Sequence, residues 1–129
     1  MFNVSNRTHG LTITLEGLIN KEDISALSFQ LRSEWAGVSS PFIYVLDVQN
    51  FRYFTADAQA LFEETLESAF EQGLVRISVL GVTTSLSGLF CAIMVRTGLM
   101  EIYQFLDLAY EEDPQTEMNT WLNEPFATQ

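Results

Sequence analysis

An α/β fold, with a mixed and mostly parallel sheet of four to five strands covered by about four helices, follows from three features of this 129-residue chain. Two short segments of period-two alternation open it. Two later runs, 42–48 and 75–82, are nearly continuous in apolar and β-branched residues, as strands buried on both faces are. Between and after them lie segments with helical spacing and marked ends. Strands alternating with helices imply a largely parallel sheet joined by right-handed crossovers. No linker, repeat or low-complexity segment interrupts the pattern, so one domain is expected over residues 1–129.

In chain order, residues 2–5 make an edge strand with Phe2 and Val4 on one face. A turn at Thr8-His9-Gly10 leads into a second strand over 11–16, where Leu11, Ile13 and Leu15 alternate with polar residues. Asn20 reads as a helix N-cap, with Glu22 and Asp23 in the first turn. Ile24, Leu27, Ser28, Leu31 and Trp35 form the inward stripe of this first helix, and Gly37 ends it. The strand 42–48 is followed by an aromatic link, Phe51 to Phe54, expected either to plug the end of the sheet or to line a cleft. Thr55 then caps the clearest helix, which Gly73 terminates. Its stripe is Ala58, Leu61, Phe62, Thr65, Leu66, Ala69 and Phe70, and its outer face is acidic: Glu63, Glu64, Glu67 and Glu71. After the strand 75–82, Ser85 or Ser87 caps a third helix over about 86–96, which Gly98 ends. A last strand covers 102–108. Asp113-Pro114 starts a closing helix, docked by Met118, Trp121 and Leu122.

Composition narrows the function. Seventeen acidic against six basic residues give a formal charge of -11, which opposes binding to nucleic acid. A single cysteine, Cys91, and a single histidine, His9, leave no disulfide and no ligand set for a zinc site. Neither residue has a visible catalytic partner, so no catalytic residues, metal or cofactor are assigned. The amino-terminal residues are polar, and the longest apolar run, 89–95, is too short to span a bilayer. A cytoplasmic protein with no membrane insertion is expected.

The opening hairpin, the FIYVLDV strand with its aromatic link and capped helix, the RISVLGV strand with a hydroxyl-rich turn, and the EIYQFLDL strand with its terminal helix together resemble the STAS domain. The likeness is to the SpoIIAA-like anti-sigma-factor antagonists in particular, over residues 10–124. It implies a non-enzymatic regulatory module that binds a protein partner of kinase or sigma-regulator type. In such antagonists a strand ending in Leu-Asp leads to an Asp-Ser-Ser-Gly turn whose serine accepts phosphate. Counted from Asp47, Thr55-Ala56-Asp57-Ala58 falls on that turn. Asp57 stands at the phosphoacceptor position and Ala58 at the glycine. The resemblance thus implies a binding surface not switched at the usual serine, made of Thr55, Asp57, Glu63, Glu64 and Glu67.

Two further groups stand out. Phe54, Thr83, Thr84 and Ser85 are a candidate ligand or anion site, because strand ends and helix starts of open α/β sheets gather ligands. Ordinary capping explains the same hydroxyls. Gly88, Cys91, Ala92 and Val95 give the third helix a second, uncharged side. Three readings fit it: a homodimer interface, burial under the terminal helix, or a roof over a cavity for a small apolar ligand or lipid. The last makes a carrier or sensor the alternative function.

Overall fold

Antiparallel pairing opens the sheet, with β1 (Phe2–Arg7) running from Phe2↔Leu15 to Arg7↔Gly10 against β2 (Gly10–Ile19). The structure is a computed structural model, described here for residues 1–37, 41–82, 84–109 and 112–126, without the side chains of residues 36, 37, 84 and 85. His9 turns the hairpin at φ 66°. Gly10 is required where β2 begins, since a Cβ there would lie 1.7 Å from the Ile43 carbonyl oxygen.

Three strand–helix units follow in which each strand pairs parallel with the one before: α1 (Lys21–Gly37), β3 (Phe42–Phe54), α2 (Ala56–Gln72), β4 (Leu74–Gly81), α3 (Thr84–Thr97), then a 3₁₀ turn and β5 (Tyr103–Asp107). The chain closes with α4 (Pro114–Asn123). Sheet order is β1-β2-β3-β4-β5. Because the order never reverses, right-handed crossovers carry α1, α2 and α3 to one face. The buried residues agree. Ile24, Leu27 and Leu31 of α1, Phe62 and Leu66 of α2, and Phe90, Ile93 and Met94 of α3 share a core with Ile13, Tyr44, Leu46 and Val79 of the sheet. On the other face Met118 and Leu122 of α4 pack on Ile43, Val45, Leu80 and Leu106. The two faces alternate along β3 and both are covered, which is why its sequence is apolar without a break.

Helix ends follow from local chemistry. Asn20 and Asp23 exchange bonds before α1, with Asp23 N–H donating to Asn20 Oδ1 at 2.9 Å and Asn20 N–H to Asp23 Oδ2 at 3.1 Å. Asp113 Oδ1 accepts from Thr116 N–H at 3.2 Å ahead of Pro114. Gly73 closes α2 at φ 121°.

Four sequence expectations change. β2 runs to Ile19 and β3 to Phe54, so the aromatic link is strand. Past Asp47, β3 pairs with β2 alone, and two register shifts, between Thr14 and Glu16 and between Gly17 and Leu18, stretch the burial period of β3 from two to three. Phe51 and Phe54 are buried while Tyr53 is 56% exposed. Phe70, expected in the core, is 45% exposed. Helix α3 starts at Thr84, which places both Ser85 and Ser87 inside it rather than at its cap. Burial of α3 under the terminal helix is overturned, because α4 packs on the opposite face of the sheet.

Candidate functional site

The start of α2 sits at the end of the β2–β3 ribbon, tied to it by Thr55 N–H donating to the Ile19 carbonyl at 3.0 Å. Thr55 has extended backbone, φ -67° and ψ 158°, as an N-cap requires. Its hydroxyl does two things. Oγ1 accepts from Ala58 N–H at 3.4 Å and donates to Asp57 Oδ1 at 2.6 Å. The same Asp57 oxygen also accepts from Ala58 N–H at 2.9 Å. The Thr55 hydroxyl, the Ala58 amide and the more distant charge of Lys21 all favour the carboxylate, so the Asp57 pKa lies below the usual aspartate value. Asp57 is exposed. The result is an ionised, solvent-facing group whose direction is fixed by its own helix turn.

Of the acidic residues on α2, Glu64 and Glu67 are exposed and Glu63 is not. The side chain of Glu63 is 16% exposed and turns toward α3, where Arg96 meets it edge-on. Arg96 Nε donates to Oε1 at 3.0 Å and Nη2 to Oε2 at 2.8 Å, and Gln59 Nε2 adds a bond to Oε2 at 3.2 Å. These bonds, Arg96 first, hold the Glu63 pKa below its ordinary value. Glu63 is therefore corrected from a free surface charge to a strut between α2 and α3. Beside it a shallow cleft of about 340 Å3 is lined by Ala56, Gln59, Ala60, Glu63 and Arg96. Arg96 gave no signal in the sequence, since nothing in spacing relates a residue at the end of α3 to one 33 positions earlier.

Phe54 is the one member of the candidate ligand site whose side chain is described, and it belongs to the core. That ring is 8% exposed and packs at 4.7 Å from Phe51, 5.1 Å from Phe62 and 6.2 Å from Phe90. Thr83 lies outside the described residues, as do the side chains of Thr84 and Ser85. The space beneath α3 is filled: Phe90 is fully buried, with its ring 5.8 Å from Phe51, and Ile93 and Met94 are fully buried beside it. On the outer side of α3, Gly88 is exposed, Val95 is 62% exposed, and Cys91 and Ala92 are half-buried. Asp47 accepts from Gln49 N–H at 3.1 Å within β3. His9 stacks on Phe126 with ring centroids 3.9 Å apart. Among the described residues no three His, Cys, Asp or Glu side chains group as metal ligands, and no helix is long and apolar enough to cross a membrane.

No protein-family model matches the chain, and no curated protein matches it in sequence. Solved structures do. An uncharacterized protein from Shewanella loihica PV-4, of the DUF3478 family with a SpoIIAA-like fold, matches at a TM-score of 0.69 and 16% identity, over 95% of this chain and 92% of its own. The anti-sigma factor antagonist SpoIIAA in its unphosphorylated form matches at 0.63 and 10% identity, over 93% and 98% of the two chains. The phosphorylated form of SpoIIAA, a Bacillus cell fate determinant, gives 0.61 and 10%, over 92% and 99%. At these identities it is the path of the backbone that is shared. The chain has a STAS-like fold of the SpoIIAA type.

Proposed function

We propose that this protein is a non-enzymatic regulatory module of the cytoplasm that binds a protein partner through the start and outer face of α2. The observation that carries the reading is the Thr55–Asp57 pair: a hydroxyl and a carboxylate locked at 2.6 Å at an exposed helix start. Counted from Asp47, this position is where the resemblance to anti-sigma-factor antagonists leads one to expect a phosphoacceptor serine, and here the negative charge is permanent. The Thr55 hydroxyl is itself engaged as donor and acceptor. A surface in one fixed charge state suits a partner of kinase or sigma-regulator type whose grip does not depend on phosphorylation here. Glu64, Glu67 and Glu71 extend the negative face along α2, which carries no Lys or Arg, so the complementary partner surface is basic.

Affinity capture with the wild-type chain and with an Asp57→Ala, Glu64→Lys, Glu67→Lys variant tests this. A partner held by the first, released by moderate salt and lost from the second, is the expected result. Identical captured proteins from both would overturn it.

A second reading concerns the outer side of α3. Val95 is 62% exposed on a face that carries no charge beside Gly88 and Ala92, in a chain of charge -11. Self-association through this face would cover it at little electrostatic cost. Ala92→Glu is then expected to give a folded monomer by light scattering, and a variant that stays dimeric would remove α3 from the interface.

A further inference from the structure

At the end of the sheet opposite the α2 start, a cavity of about 410 Å3 opens between the β1–β2 turn, the last turns of α1 and the beginning of β3. Its size is that of a small-molecule site. Trp35, Phe42, Leu11 and Pro41 supply apolar and aromatic walls, and Glu34 supplies a carboxylate. The place of Glu34 in α1 is unusual. Ile24, Leu27 and Leu31 are the sheet-facing stripe of that helix, each at most 1% exposed. The next positions of the same stripe, three and four residues on, are Glu34 and Trp35. A carboxylate thus occupies a position that the helix otherwise gives to the core, and it is half-buried. Its charge is felt inside, since it helps raise the pKa of the buried Tyr44 phenol, whose main cause is burial itself.

Among the described residues no hydrogen bond or ion pair is made by Glu34. The bonds that the nearby cations make go to other groups. Arg7, which also lines the cavity, donates from its guanidinium to Asn119 at 2.8 Å and Thr12 at 3.4 Å on the α4 side of the sheet, and its Nε, without a hydrogen-bond partner among the described residues, is closed to solvent. Arg32 bonds Ser28 at 3.2 Å and Ser68 at 3.4 Å, with its guanidinium 5.4 Å from the Trp35 ring centroid. His9 is stacked on Phe126. The indole is held in place by its N–H, which donates to the Tyr44 hydroxyl at 2.7 Å. A half-buried carboxylate without a cation beside a fixed indole, in a chain of charge -11, is the chemistry that selects an organic ammonium.

We propose that this cavity binds a small organic cation, with its ammonium head at Glu34 and its alkyl body against Trp35 and Phe42. The proposal is independent of the partner surface on α2, which lies beyond the other end of β3.

Three probes of different charge test it on the full chain: choline, its neutral isostere 3,3-dimethylbutan-1-ol, and the small anion butyrate, each at matched ionic strength. Binding is followed by Trp35 fluorescence in a Trp121→Phe background and by amide chemical shifts of residues 34–35 and 42–44. Choline is expected to give a saturable millimolar response, with the neutral isostere at least about tenfold weaker and butyrate without effect. Glu34→Gln should weaken choline binding about tenfold, and Glu22→Gln, which removes the same charge from the exposed start of α1, should leave it unchanged. The proposal is overturned by no saturable choline response, by equal binding of the neutral isostere, by tighter binding of butyrate, or by unaltered binding in Glu34→Gln. The probe comparison uses the unsubstituted cavity, so it decides the matter even if Glu34→Gln is unstable.

Discussion

The two ends of β3 are built on opposite plans. At the α2 start the hydroxyl and the carboxylate find their partners within three residues: Thr55 with Asp57, and both with Ala58 N–H. At the cavity the walls are tied by contacts between distant elements, Ile43 N–H to the His9 carbonyl at 2.9 Å and Trp35 N–H to the Tyr44 hydroxyl at 2.7 Å, while Glu34 has no hydrogen-bond or ion-pair partner among the described residues. Local saturation gives a surface of fixed charge, suited to being recognised. Long-range ties around an unsatisfied carboxylate leave a space, suited to recognising something smaller.

The largest expected effect comes from removing what the α2 end rests on. Phe90→Ala deletes a fully buried ring in contact with Phe51 and Phe54, and should cost about 3–5 kcal/mol in urea unfolding. A loss under about 1 kcal/mol would mean that the β2–β3 ribbon stands without that floor. Next, Gly10→Ala attacks the cavity end. The new Cβ meets the Ile43 backbone rather than a side chain that can move aside, so a loss of about 2–3 kcal/mol is expected, with weakened choline binding if the cavity deforms.

Smaller effects sharpen the contrast. Thr55→Ala should destabilise by about 1 kcal/mol through the lost cap. It should also move the Asp57 pKa up toward the ordinary value, visible as a shifted carboxylate titration by NMR. An unmoved titration would show that the threonine does not set the charge. The smallest effect is that of Glu63→Gln. The Glu63 pKa is lowered on folding, so its stabilisation is complete above its unfolded value, near 4.5, and is lost as pH falls through the lower folded one. Thermal unfolding should show the variant less stable than wild type at neutral pH, with the two curves converging as the pH falls below the unfolded value and through the lower folded one. A constant gap across that range would deny the ion pair with Arg96 its pH-dependent role.

How far these features are legible in the sequence depends on how local their causes are. Asp57 stands out because the cap, the acid and the amide are neighbours, and α2 can be delimited from Thr55 and Gly73 alone. The strand character of 49–54 is hidden because two register shifts against β2 break the alternation by which strands are read. Glu63 looks like one of four equivalent acids until Arg96, from another helix, separates it from the rest. In the sequence Glu34 is one more acid on a helix. Its position gains meaning only once Phe42 and Tyr44 are brought beneath it.

The amino-acid sequence by itself determined the order and kind of elements, the capped start of α2 and the permanent charge at Asp57. Each of these rests on interactions spanning a few residues or on a periodicity that the chain carries along its length. The tertiary structure alone decided that α1, α2 and α3 share one face, that α4 covers the other, that Phe90 fills the space beneath α3, and that a carboxylate and an indole meet at the mouth of a cavity. Those outcomes depend on sheet order and register, which bring together residues that no spacing in the chain relates.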